Sequence, residues 1–141
     1  MFVKKGKEIH INDLSKHEVK TAYAGLTGNK GSVAIRFDYL DTSFMFMNCH
    51  LAPHDNSHFE RMENLRKNIN ENLNEFSKMF DDTKNCHNYK VVFGDLNIRL
   101  DKLTRDEIIE HIKNKDYRAL RQNDQLLQNK QKDIFFNQFE E

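Results

Sequence analysis

Between Ser57 and Phe80 the apolar residues Phe59, Met62, Leu65, Ile69, Leu73, Phe76 and Phe80 recur every three or four positions, the period of a helix with one buried face. A helix of that length needs a surface to cover, and the flanking sequence supplies one. Phe44-Met45-Phe46-Met47 is apolar on both faces, as expected of a central strand, and Tyr89 to Phe93 reads as a second strand beyond the helix. Upstream, Ser32 to Tyr39 alternates with Val33, Ile35 and Phe37 on one side, and Asp41-Thr42 closes a hairpin. Shorter strands are expected at Phe2 to Lys5 and at Val19 to Ala24, separated by a polar, His-containing connection. Thr104 with Glu107 three residues on forms a capping box for a helix to Asn114, and Tyr117 to Gln128 reads as short helical turns. Strands before and between helices give an α/β class with an α+β-type mixed sheet and helices on one outer face.

The 141 residues allow one domain at most, and 38% hydrophobic with 31% charged residues fits a globular chain. Lys plus Arg equals Asp plus Glu, 22 each, so no net field draws the whole molecule to nucleic acid or acidic lipid, and an anion site must be local. Cys49 and Cys86 are the only cysteines, no signal-like segment opens the chain, and the longest apolar runs are four residues. These features point to a reducing, cytoplasmic setting.

Chemistry concentrates at two strand ends. In Val91-Val92-Phe93-Gly94-Asp95-Leu96-Asn97-Ile98-Arg99 a strand runs into a glycine and then offers a carboxylate, a carboxamide and a guanidinium at alternate positions. On extended backbone Asp95, Asn97 and Arg99 start on one side, with Leu96 and Ile98 anchoring the other. Asp95 there can take a proton from water or hold a metal, Asn97 can orient a nucleophile, and Arg99 can lock the loop or meet a phosphate. Asp and Asn are also ordinary turn residues, so a plain turn stays open on this segment alone. Asn48-Cys49-His50 is the second polar end. Alternation puts Asn48 and His50 on one face and Cys49 on the other, against a Cys49–His50 thiol pair. By itself a strand-end histidine is more often only a hydrogen-bonded partner of the backbone.

Gly25 to Ser32 fails as a nucleotide-binding loop, because Lys30 precedes Gly31 and the loop leads into a strand rather than a helix N-terminus. The residue types favour a plain turn over a loop presenting N–H groups, Asn29 and Lys30 to an anion. Cys49, His50, His54 and His58 lie close enough for zinc, but Pro53 breaks a helical His50/His54 pair and His54/His58 straddles a helix start. Glu60, Arg61, Glu63, Arg66 and Lys67 read as a solvated helix face, with Arg61 and Asn64 placed to brace the His50 loop.

Taken in order, Gly28-Asn29-Lys30-Gly31-Ser32-Val33-Ala34-Ile35, then Asn48-Cys49-His50-Leu51-Ala52-Pro53-His54 with Arg61 and Asn64, then Gly94-Asp95-Leu96-Asn97-Ile98-Arg99-Leu100, resemble the inositol polyphosphate 5-phosphatases of the endonuclease/exonuclease/phosphatase superfamily. The resemblance continues through Asp116-Tyr117 and Asp124-Gln125-Leu126. Ala22, Phe93 and Ile98 depart from the family's usual Gly, Trp and aromatic residue without removing a functional group.

The resemblance implies a four-layer α/β/β/α sandwich, here in part, and a magnesium-dependent phosphoric monoester hydrolase that removes the 5-phosphate from phosphoinositides or soluble inositol polyphosphates. It implies Asp95 as the activator of the attacking water, Asn97 beside it, and His50 as a donor to the scissile phosphate. Asn29, Lys30 and His54 fall to substrate binding, and Asn48, Arg61, Asn64 and Arg99 to support. Partners would be lipid head groups or inositol polyphosphates at a membrane periphery, with no nucleic acid. The family's metal-binding Glu, its Pro-x-Trp-Cys-Asp-Arg signature and its final Asp-His pair have no match: there is no Trp, and Pro53 is the one proline. The expectation is therefore residues 1–141 as the central part of one catalytic domain, inactive alone and with one sheet face uncovered. The alternative is an incomplete remnant that binds phosphoinositide or protein; a superfamily nuclease is disfavoured by the neutral charge.

Overall fold

The computed structural model describes residues 2–21, 29–80, 87–133 and 139. The chain forms two compact units, Met1–Pro53 with Phe59–Leu96, and His54–His58 with Asn97–Glu141. The expected turn through Gly25 to Gly28 and the end of the expected strand at Ala22 to Ala24 lie outside the described residues, as does Cys86.

The first unit holds a four-stranded sheet in the order β1 (Ile11–Lys20), β2 (Gly31–Tyr39), β3 (Thr42–His50), β4 (Tyr89–Asp95). The first three strands are antiparallel neighbours, and β4 runs parallel to β3 after the long helix α1 (His58–Met79), so the sheet is mixed. Parallel neighbours require a crossover, and α1 provides it. One face of the sheet carries Ser32, Ala34 and Arg36 of β2 opposite Cys49, Met47 and Met45 of β3, all buried. Met62, Leu65, Ile69 and Phe76 of α1 are buried with them, and Asn72 of α1 donates to Ser32 Oγ at 2.9 Å. The other face carries Val33, Ile35, Phe37, Phe44, Phe46, Tyr89, Val91 and Phe93, with Phe37, Phe44, Phe46 and Tyr89 in a run of stacked rings. Val33 is 55% exposed and Phe93 46%, so the more apolar side of the sheet is the open one.

Two sequence expectations are corrected. Phe2 to Lys5 is irregular and exposed rather than a strand, because β1 uses the whole free side of β2, from Ile11 opposite Tyr39 to Lys20 opposite Gly31. The polar connection after it is itself strand: His17 points its Nδ1 at Asn72 Oδ1, 3.0 Å away, so a histidine occupies an inward position where periodicity looks for an apolar residue.

The second unit contains α2 (Arg105–Lys113), α3 (Tyr117–Gln122) and α4 (Gln125–Lys132). Each opens on a side-chain cap: Thr104 with Glu107 in a complete capping box, Asp116 accepting from Ala119 N–H, and Asp124 accepting from Leu127 N–H. Its one buried residue on these helices is polar, Gln125, and Leu100 bridges Asp124 beside it. Among the described residues no helix is long and apolar enough to cross a membrane.

Candidate active site

The sheet's register builds the site. Gly31 at the start of β2 pairs with His50 at the end of β3, and His50 pairs with Asp95 at the end of β4, so three strand ends meet along one border. The ladders run one bond further on both sides, Thr21 N–H to Lys30 O at 3.0 Å and Leu51 N–H to Asp95 O at 3.0 Å, which fixes the backbone bearing each functional group. Gly31 and Gly94 permit this closeness. Their φ values are +145° and +119°, and a Cβ on Gly31 would strike the Val19 carbonyl, one on Gly94 the Cys49 carbonyl and the Asn48 side chain.

Lys30 Nζ lies 2.8 Å from His50 Nε2, and this His50 nitrogen is 3.7 Å from Asp95 Oδ2. The first is a hydrogen bond; the second is an approach too long to be one. The side chains of His50 and Asp95 are 50% and 65% exposed, open enough for a solvated phosphate to reach both. Asn29, Lys30, Asn48 and His50 line a pocket of about 230 Å³, below the usual range for drug-sized ligands and on the scale of a compact head group. On α1, Arg61, fully buried, donates from Nη1 to the Ala52 carbonyl at 3.3 Å and so ties the helix to the segment after His50. Asn64 is half-buried on the same helix. Cys49 faces inward, and burial pushes its thiol up to about 12, leaving it no role as a thiolate nucleophile.

Asn97, Arg99 and His54 belong to the second unit. The strand alternation expected to carry Asp95, Asn97 and Arg99 together stops at Asp95, and Asn97 takes φ +52°. Arg99 Nη2 donates to Asn97 Oδ1 at 3.3 Å, and its Nε is 3.7 Å from Asp55 Oδ1. His54 holds φ +73° with ψ 151°, backbone space nearly reserved for glycine, and its carbonyl accepts from Ser57 N–H. Sequence reasoning missed Gln125, which clamps this loop. Its Oε1 accepts from Arg99 N–H at 3.2 Å, its own N–H donates to the Arg99 carbonyl at 3.1 Å, and its Nε2 donates to Asp101 Oδ1. The signal was present in Asp124-Gln125-Leu126, but neither spacing nor period reveals which backbone a buried amide holds.

A magnesium ion asks for oxygen donors in an octahedron, commonly one or two carboxylates with water and phosphate oxygens. Among the described residues no three His, Cys, Asp or Glu side chains converge, and the His50 imidazole is one neighbour of Asp95. These residues do not by themselves make an ion site.

The pattern of an endonuclease/exonuclease/phosphatase, family 2, matches residues 1–141. The chain belongs to that family. Within the family it is 35% identical to Synaptojanin-2 of Rattus norvegicus over 143 residues, covering all of this chain and 9% of that protein. It is 33% identical to phosphatidylinositol 3,4,5-trisphosphate 5-phosphatase 2 of Homo sapiens over 147 residues, again all of this chain and 11% of the relative. It also superimposes on the solved inositol polyphosphate 5-phosphatase domain of spsynaptojanin, in complex with inositol (1,4)-bisphosphate and calcium ion, with a TM-score of 0.72 and 31% identity over 89% of this chain and 34% of that one. The family's mixed α/β architecture is thus the one seen here, and the chain spans about a tenth of the two curated relatives and about a third of the solved domain.

Proposed function

We propose that this chain is part of one catalytic domain of a phosphoinositide 5-phosphatase, hydrolysing the 5-phosphate of lipids such as phosphatidylinositol 4,5-bisphosphate or of soluble inositol polyphosphates. The observation that carries this reading is the meeting of Lys30, His50 and Asp95 at three adjoining strand ends. A phosphate monoester dianion repels an incoming oxygen nucleophile, so its hydrolysis needs cationic donors on the phosphoryl oxygens and an acceptor for the water's proton. The Lys30–His50 pair offers the donor side, and Asp95 the acceptor. Water's oxygen bonds to phosphorus as the bond to the inositol 5-oxygen breaks. Asp95 receives the water's proton, and the leaving oxygen is protonated from solvent. Asn97 is proposed to orient the water, Asn29 and His54 to contact the rest of the head group, and Asn48, Arg61, Asn64 and Arg99 to hold the loops.

Magnesium is the proposed cofactor, neutralising phosphoryl charge when bound; its remaining ligands would be water, substrate oxygens and donors outside the described residues. The inositol bisphosphate and calcium in the solved relative support both the substrate class and a divalent ion. A cytoplasmic protein acting at the membrane periphery is the proposed setting. A second reading, a module that binds inositol phosphates without turnover, is favoured by the lack of a three-donor cluster among the described residues. Phosphate release from phosphatidylinositol 4,5-bisphosphate, measured with and without magnesium on the gene product carrying these residues, separates the two. Magnesium-dependent release supports the hydrolase, and head-group binding with no release supports the module.

A further inference from the structure

The second unit includes His58, the first residue of α1, and holds its ring between two partners of different chemistry. Nε2 lies 2.6 Å from Asn129 Nδ2 on α4, and Nδ1 lies 3.5 Å from Asp101 Oδ2 in the segment before α2. Asn129 Nδ2 also donates to the Gln125 carbonyl at 2.7 Å, and a carbonyl can only accept, so the amide must turn its nitrogen, not its oxygen, to this corner. An amide nitrogen has only hydrogens to offer. His58 Nε2 therefore supplies the lone pair, and the proton of the neutral ring lies on Nδ1, toward Asp101. Asp55, on the same segment as His58, lies 3.7 Å from Arg99 Nε, and Asp101 is the carboxylate that faces the ring.

We infer that His58 is a pH-sensitive latch within the second unit: neutral, it accepts from Asn129 and ties the start of α1 to α4; protonated, it releases Asn129 and pairs with Asp101. A proton on Nε2 would set two N–H groups against each other at 2.6 Å, and turning the Asn129 amide over would only move the conflict to the Gln125 carbonyl. The charged ring has a partner ready instead. Gln125 Nε2 occupies Asp101 Oδ1 at 2.6 Å and leaves Oδ2 toward the ring, so Asp101 can keep its bond to Gln125 and take the imidazolium as well. Both side chains of the ion pair are half-buried, which leaves the ring open to protons from solvent. The sign follows: the bond to Asn129 is present above the ring's titration and is lost as pH falls through it, while the attraction to Asp101 grows over the same range. Acid thus frees the Asn129 turn of α4 and leaves the Gln125 clamp on Arg99 in place.

Nitrogen NMR of the histidine rings in the 141-residue chain, followed from about pH 8.5, where an ordinary imidazole is neutral, down to about pH 5, reads the latch directly. The neutral His58 ring should carry its proton on Nδ1, and the Asn129 side-chain amide protons should shift with the same midpoint as the ring. Asn129→Ala removes the donor that favours the neutral form, so the midpoint should rise by about half a pH unit. Asp101→Asn keeps an oxygen for Gln125 but removes the charge, so the midpoint should fall by about as much. Backbone amide spectra establish that each variant is folded, and the wild-type tautomer needs no variant at all. A neutral ring protonated on Nε2, a midpoint lowered by Asn129→Ala, or one left unmoved by Asp101→Asn would overturn the inference. The Ala variant decides most sharply, because an Nε2–H donating to the amide oxygen would give the opposite sign.

Discussion

Gly94 and Asp95 work as a pair: the glycine lets β4 press against the Cys49 carbonyl and the Asn48 side chain, and the carboxylate emerges one residue later opposite His50. Gly94→Ala forces a Cβ into occupied space at φ +119°, and the cost should be at least about 3 kcal/mol, a drop in melting temperature on the order of 10 °C by calorimetry. Asp95→Asn leaves shape and pairing alone, so its effect should be purely chemical. In the active gene product, hydrolysis should fall by about 10²- to 10⁴-fold while head-group affinity, measured by calorimetric titration, stays the same or rises slightly as a negative charge is removed. Retained turnover would take Asp95 out of the reaction. Both residues were legible together from Gly94-Asp95 at the end of an apolar run. The contact between Lys30 and His50 was not, because twenty positions separate them and only the β2–β3 register brings them together.

Helices and strands differed in how plainly they could be read. The helix α1 and the capping box of α2 were legible because each is a local pattern: a 3.6-residue period in one case, a Thr and a Glu three apart in the other. The strand β1 was hidden because its inward position at His17 is satisfied by Asn72, a partner on a helix 55 residues away, and periodicity registers only apolar residues as inward. The face of β2 was legible as an apolar stripe, yet α1 lies on the opposite stripe, where small Ser32 and Ala34 admit the helix and Asn72 bonds Ser32 Oγ. The α2 cap has a pH signature. Hydrogen bonds from the Thr104 backbone N–H and then its hydroxyl hold Glu107 below the usual carboxylate range. A depressed folded-state value means that the stabilisation is present above the ordinary glutamate range and is lost as pH falls through the lowered one. Thermal melts of wild type and Glu107→Gln should therefore differ at pH about 7 and converge near pH about 2. A constant difference across that range would show that the cap does not depend on the carboxylate's charge.

At the scale of the molecule, the sheet of the first unit has two unlike faces, and they should respond oppositely to the same substitution. Met47 is fully buried beneath α1, and Asn72 Nδ2 contacts its sulfur at 3.2 Å; a carboxylate there would be cut off from water. Met47→Glu should cost more than about 4 kcal/mol, a large share of the roughly 5 to 15 kcal/mol available to a typical domain, and leave the chain largely unfolded by circular dichroism. Val33 is on the opposite face and 55% exposed, in line with Ile35 and Phe37 along β2 and across from Asn48 of β3. Val33→Glu should cost under about 1 kcal/mol, since water already reaches the site. That open face joins a groove of about 500 Å³ lined by Ile11, Ile35, Phe37, Phe46 and Phe93, larger than isolated exposed side chains create and of the kind that binds apolar probes. Fluorescence of an environment-sensitive apolar dye should accordingly rise on adding the folded wild-type chain and rise less with Val33→Glu, at unchanged circular dichroism. If Val33→Glu unfolds the chain as Met47→Glu does, the two faces are both interior and the assignment of α1 to one of them is wrong.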